Sequence, residues 1–268
     1  MPRANRYFVP GYVWHITHRC HQKEFLLKFG RDRQIWIRWL FEAKKRYDLE
    51  VLNFTITSNH IHLLVYGGED REGIPRSMQL VAGRTAQEYN RRTQRKGAFW
   101  EDRYHATAID TDDHLVRCLV YIDLNMVRAG VVQHPSEWSH GGYNEILNPP
   151  ARYRLLAMNR LRELLSINED TLGSVYSGWI EEALKAEAFR EPAWSESVAV
   201  GSKKFVEGIK EELAFKAIGR KIQEGLHAGT NTLREPNASY SFDFGIENGA
   251  LSDDNSLFWS IFPELSDG

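Results

Sequence analysis

The chain has 268 residues, 42% hydrophobic and 12% aromatic, with a net charge of −2, enough apolar material for one good-sized core plus a smaller second unit. No apolar run approaches the ~20 residues needed to span a bilayer, and the N-terminus lacks the apolar centre of a signal peptide, so membrane and secreted classes are set aside. Cys20 and Cys118 are too few and too separated for a disulfide framework or a zinc module, which makes a reducing cytoplasm the expected location.

The charge is uneven. Residues 1–150 carry 21 Lys and Arg against 17 Asp and Glu, whereas the remainder carries 13 against 19. A basic half joined to an acidic half leaves room for a nucleic-acid surface, because phosphate contacts depend on local clusters rather than on the total.

In chain order, residues 12–17 alternate in strand fashion, and residues 31–47 place Ile35, Trp39 and Ala43 at helical spacing beside Trp36 and Leu40. Residues 49–56 predict a second strand. Ser58-Asn59 is a tight connection into a third, His60 to Tyr66, which is rich in β-branched residues and stopped by Gly67-Gly68. Pro75 opens a helix that runs to about Arg95, residues 103–109 form a fourth strand, and Asp112 and Asp113 cap a further helix. In that helix Leu115, Leu119, Ile122 and Met126 recur at three- and four-residue spacings up to a stop at Gly130. The order β-α-β-β-α-β with one added helix predicts an α+β fold: a ferredoxin-like split βαβ with an antiparallel sheet and the last helix lying across it.

Asn148-Pro149-Pro150 is a breaker, after which residues 153–165, 169–190 and 202–222 predict helices. From about Gly225, Gly, Asn, Ser, Asp and Glu dominate, apart from the island Leu257-Phe258-Trp259-Ser260-Ile261-Phe262, which could dock on the body or on a partner. The expected organisation is therefore residues 1–147 as one domain, 148–224 as a small helical region and 225–268 as a flexible acidic tail.

Two features carry chemistry. Side chains alternate along a strand, so His60 and His62 project on one side of the third strand, either as a chelating pair or as two polar residues on a half-solvated sheet. On the late helix Tyr121 and Asn125 stand at i and i+4 and share a face. If that face meets the histidines, two nitrogen ligands, one amide oxygen and one candidate nucleophile come together; otherwise Tyr121 is a core tyrosine. Asp123 points away from Tyr121 on the helix.

The segments Asn59-His60-Ile61-His62-Leu63-Leu64 and Tyr121-Ile122-x-x-Asn125-x-Val127-Arg128-Ala129-Gly130 resemble the HUH-type single-tyrosine transposases, and most of all the REP-associated tyrosine transposases. Pro2-Arg3-x-x-Arg6, the stretch Tyr12 to Arg19 and Phe99-Trp100-Glu101-Asp102-Arg103-Tyr104 extend the likeness over residues 1–147. The Val200-Gly201-Ser202-x-x-Phe205-Val206 segment is similar to C-terminal regions of longer members. The resemblance implies a divalent metal, Mg²⁺ or Mn²⁺, held by His60, His62 and Asn125, where Asn stands in for a longer ligand. It further implies attack by Tyr121 on single-stranded DNA to leave a 5′-phosphotyrosine link, with short palindromic hairpins as substrate and a monomer or homodimer as the working form. Free tyrosine ionises near pH ~10, so the phenol needs help, for which His105 and His114 are candidates. A catalytically silent hairpin-binding regulator and a nuclease that uses water are the other readings.

Arg84, Arg91, Arg92, Arg95 and Lys96 lie on or just after the second helix, followed by Phe99, Trp100, Arg103 and Tyr104. Cations interleaved with rings suit single-stranded DNA, or mark a solvated helix end over core aromatics. Arg3 and Arg6 are further candidates for DNA contact.

Overall fold

Alternation and turn chemistry lay down four strands: β1 (Val13–Arg19), β2 (Glu50–Ile56), β3 (His60–Tyr66) and β4 (His105–Ile109), with α1 (Gly30–Tyr47) after β1 and α2 (Gly73–Thr93) after β3. They come from a computed structural model that describes residues 8–186, 191–225 and 227–234. Arg3, Arg6 and the stretch from 235 onward, including the Leu257–Phe262 island, lie outside the described residues. The four strands pair antiparallel in the order β2-β3-β1-β4, the arrangement expected of a split βαβ unit.

The register decides what faces what. Thr17 stands opposite both His62 and His105, Arg19 opposite His60, and Thr55 opposite His62, so one face of the sheet is polar. Asn53, two residues before Thr55, shares that face, and a bulge between Val51 and Asn53 adds a residue to β2 and turns Val51 to the other side. The other face is apolar, with Phe54, Ile61, Leu63 and Ile16 buried against α1 and α2 through Trp36, Leu40, Met78 and Val81. Trp36 of α1 reaches Phe54, and the Trp100 ring stacks on His18 while its Nε1 donates to the Ala82 carbonyl of α2 at 3.0 Å.

The polar face is covered as well. α3 (Asp113–Asp123) and α4 (Asn125–Arg128) lie across it, and six of the seven β3 residues are buried. The two helices are one amphipathic unit stepped at Leu124, whose N–H still donates to the Val120 carbonyl and whose carbonyl accepts from Arg128. α5 (Tyr143–Leu147) follows, entered through Gly141 and Gly142 packed against β2.

After residue 148 come the three predicted helices, shorter than their periodicity suggests, α6 (Met158–Leu165), α7 (Glu169–Lys185) and α9 (Lys203–Leu213), with an unpredicted single turn, α8 (Ala193–Glu196), before the last. Three strands join them. β5 (Ala199–Gly201) adds parallel to β4, and β6 (Lys221–Glu224) and β7 (Asn231–Arg234) complete a seven-stranded sheet in the order β2-β3-β1-β4-β5-β7-β6. Ser202 caps α9 by accepting from the Phe205 N–H at 3.3 Å, and its own N–H and hydroxyl donate to Asp110 after β4. Among the described residues no helix is long and apolar enough to cross a membrane.

Candidate active site

The β2-β3 turn positions the first histidine. The Nδ1 of His60 lies 2.7 Å from Asn59 Oδ1 and 2.8 Å from the Thr57 hydroxyl, which also accepts the His60 N–H. A carbonyl oxygen can only accept, so donation to Asn59 puts the ring proton on Nδ1 and leaves the lone pair on Nε2. One residue pair further along β3, His62 is fully buried, and its ring stands edge-on to His60 with centroids 5.0 Å apart.

The histidines meet the α3–α4 unit. Tyr121 is 5% exposed, and its ring stands edge-on to His62 at 5.7 Å and to His15 of β1 at 6.1 Å. Asn125, one helical turn on, brings its Nδ2 to 3.0 Å from His62 Nε2. The structure thus places the His60, His62, Tyr121 and Asn125 side chains in one cluster. It adds two groups that lie in the motif stretches but to which the motifs assign no role. Arg128 sits with its guanidinium 4.4 Å from the centre of the Tyr121 ring and donates to the Tyr121 carbonyl at 2.5 Å. His15 is wholly buried between His62 and the C-terminal segment, with Nε2 2.9 Å from His62 Nδ1 and Nδ1 2.7 Å from the Trp194 carbonyl. Burial lowers the pKa of His15 to about 4, so the ring stays neutral at pH 7. Arg128, two turns beyond Tyr121 in the same motif, and His15, on the strand parity of Thr17, could have been assigned to the site from spacing, but nothing in the sequence names the partner of either.

Asp123 explains the other side of the helix. Its carboxylate accepts from Tyr176 at 2.5 Å and from Asn53 Nδ2 at 3.0 Å, and burial raises its pKa to about 7 against those two hydrogen bonds. Gly142 is required beside it, because a Cβ there would stand 2.2 Å from Asn53 Oδ1. Asp123 therefore fixes the roll of α3 and points away from Tyr121, as the helical spacing implies.

Two imidazoles and an amide form a donor set that fits a divalent cation. Among the described residues no group of three His, Cys, Asp or Glu side chains could hold a metal ion, so the donor beside the two histidines is sought in an amide. The amide of Asn125 satisfies that, since a half-turn of its end presents oxygen where nitrogen now stands.

The candidate DNA contacts divide. Arg92 pairs with Asp32 of α1, Arg95 with Glu24 at 3.2 Å and the Ala98 carbonyl at 2.7 Å, and Arg84 lies over the Trp39 ring at 5.4 Å. These three serve the α1–α2 layer, on the side of the sheet away from the histidines. Arg91 and Lys96 are exposed at the end of α2. Arg103 is exposed at the sheet end where Arg19, opposite His60, pairs with Glu101. His105 donates to the Ser197 carbonyl at 2.8 Å and His114 lies 3.4 Å from the Thr230 hydroxyl, so both helper candidates are engaged by the C-terminal segment.

Residues 9–125 match the family described as Transposase IS200 like. Comparison with curated proteins gives no match. Among solved structures, the chain is similar to a REP-associated tyrosine transposase bound to a REP hairpin. The identity is 18% over 56% of this chain and 87% of that one, with a TM-score of 0.46. It is also similar to a protein assigned as a transposase from Deinococcus radiodurans R1, at 15% identity over 40% of this chain and 85% of that one, with a TM-score of 0.32.

Proposed function

We propose that the protein nicks and rejoins single-stranded DNA through Tyr121, a reading supported by the match of residues 9–125 to the IS200-like transposase family. The observation that carries the proposal is the meeting of Tyr121, His60, His62 and Asn125 across two elements that are far apart in sequence. The phenolic oxygen forms a bond to phosphorus, the bond to the 3′ oxygen breaks, and that oxygen takes up a proton. A 5′-phosphotyrosine remains, and the reverse attack by a 3′-hydroxyl rejoins the strand. A divalent metal, Mg²⁺ or Mn²⁺, held by His60, His62 and the Asn125 oxygen, would polarise the scissile phosphate and stabilise its developing charge. Arg128, beside the phenol, is placed to hold a phosphate oxygen of the same strand.

Palindromic hairpins are the substrate that the motif resemblance suggests. Residues 1–147 would carry the chemistry and 148–224 would buttress it, with Arg91, Lys96 and Arg103 as the exposed cations available to phosphates. Incubation with labelled single-stranded hairpin oligonucleotides and Mn²⁺ should give a covalent band on a denaturing gel. Tyr121→Phe should bind the same DNA and give no such band. Cleavage without a protein-linked product would point instead to attack by water, and binding without cleavage to a hairpin-binding regulator.

A further inference from the structure

His62 has two nitrogens, and only one can offer a lone pair to a ligand. Which one is decided outside the site. The Trp194 carbonyl, on the single-turn helix α8, can only accept, so His15 Nδ1, at 2.7 Å, must carry its proton there. A neutral His15 then presents a lone pair at Nε2. His62 Nδ1 faces that lone pair at 2.9 Å and must be the donor. The ring planes are 11° apart with centroids 5.1 Å apart, which together with the short N–N distance places the rings edge to edge, as an N–H···N bond requires. With its proton on Nδ1, His62 turns the lone pair of Nε2 toward Asn125, whose Nδ2 donates to it at 3.0 Å. The opposite tautomer would set two lone pairs against each other inside a wholly buried contact.

We propose that His15 is a positioning residue that transmits the demand of the Trp194 carbonyl to His62 and locks it as the Nδ1–H tautomer. The C-terminal segment is thereby part of the site, and several contacts fasten it there. Arg117 of α3 binds Glu191 at 2.9 and 3.1 Å and covers the Trp194 ring, the Ser197 carbonyl accepts from Thr107 at 2.6 Å, and the Val198 carbonyl accepts from Ala108 at 2.9 Å. Partners of this kind orient a ligating histidine and raise its basicity, and their loss typically weakens metal binding about 10- to 100-fold. The proposal rests on His62 being a metal ligand.

Long-range ¹H–¹⁵N correlation spectra of the metal-free protein report the tautomer directly. The expected result is a protonated Nδ1 and a lone-pair Nε2 for His62, with the same pattern for His15. His15→Leu should mix the His62 tautomers and raise the Mn²⁺ dissociation constant about 10- to 100-fold. His15→Gln, whose amide can accept from His62 and donate to the carbonyl, should keep the tautomer and stay within a few-fold of the unaltered protein. A wild-type His62 protonated on Nε2, or a folded His15→Leu with unchanged tautomer and affinity, overturns the proposal. Should His15→Leu fail to fold, the wild-type spectrum alone decides. Mn²⁺ titration of His62→Ala is the separate arm: unchanged affinity there removes the metal reading, while the spectra still judge the relay.

Discussion

Tyr121 is held by its surroundings on three sides, with two imidazole edges and one guanidinium, which is unusual company for a merely packed tyrosine. Arg128 separates two contributions that would otherwise be confused. If it meets a phosphate oxygen rather than the metal, Arg128→Gln should lower cleavage about 100-fold, on the scale of losing one charge-stabilising donor, while Mn²⁺ affinity is unchanged. Single-turnover cleavage and a Mn²⁺ titration check the two halves, and a matching fall in both would assign Arg128 to the fold of the site instead. At this scale the sequence was informative where both members of a contact were side chains with fixed spacing. His60 with His62 followed from strand parity, and Tyr121 with Asn125 from the helical repeat. His15 was hidden because its distal partner is the Trp194 carbonyl, 179 residues away and identical in kind to every other backbone oxygen.

Among the elements, the α3–α4 unit is the part whose orientation the chemistry needs, and Asp123, Asn53 and Tyr176 set it. Gly142→Ala would drive a methyl group into Asn53 Oδ1 and displace the amide from Asp123. The expected cost is roughly 1–3 kcal/mol for each buried polar group left unpaired, seen as a lowered melting temperature. Tyr176→Phe should cost about as much by removing one donor from the same carboxylate. A change within the error of the melt for both variants would show that α3 is held by apolar packing alone. The elements that the sequence hid are β5, β6 and β7. β5 is three residues long, too short for alternation to register, and β6 is an edge strand with three of its four residues exposed. Their pairing also cut short the predicted helix over 202–222, whose C-terminal end became β6.

Across the whole molecule, buried titratable groups pull stability in opposite directions with pH. Burial lowers His15, His18 and His140 to about 4 from 6.5, so each contributes stability that is complete above pH 6.5 and is lost as the pH falls toward 4, on the order of 3 kcal/mol apiece. Asp123, raised from 3.8 to about 7, contributes stability that is complete below pH 3.8 and is lost as the pH rises from there to about 7. Asp32, also raised by burial against the pull of Arg92, adds to that limb. Three histidines outweigh two carboxyls between pH 4 and 6.5, so stability should rise with pH there and level off near 7, where both sets have finished titrating. Melting temperatures at pH 5, 6.5 and 8 test this, and Asp123→Asn, which removes an opposing group, should steepen the rise between pH 5 and 6.5. A protein most stable at pH 5 would contradict the assignment.

The central claim is that the Tyr121 oxygen becomes bonded to DNA. Its most direct test is mass spectrometry of peptides from protein incubated with a single-stranded hairpin oligonucleotide and Mn²⁺. The account predicts a nucleotide 5′-phosphate on the peptide that contains Tyr121 and none in Tyr121→Phe. A phosphate adduct on any other residue, or cleaved DNA with Tyr121 unmodified throughout, would contradict it.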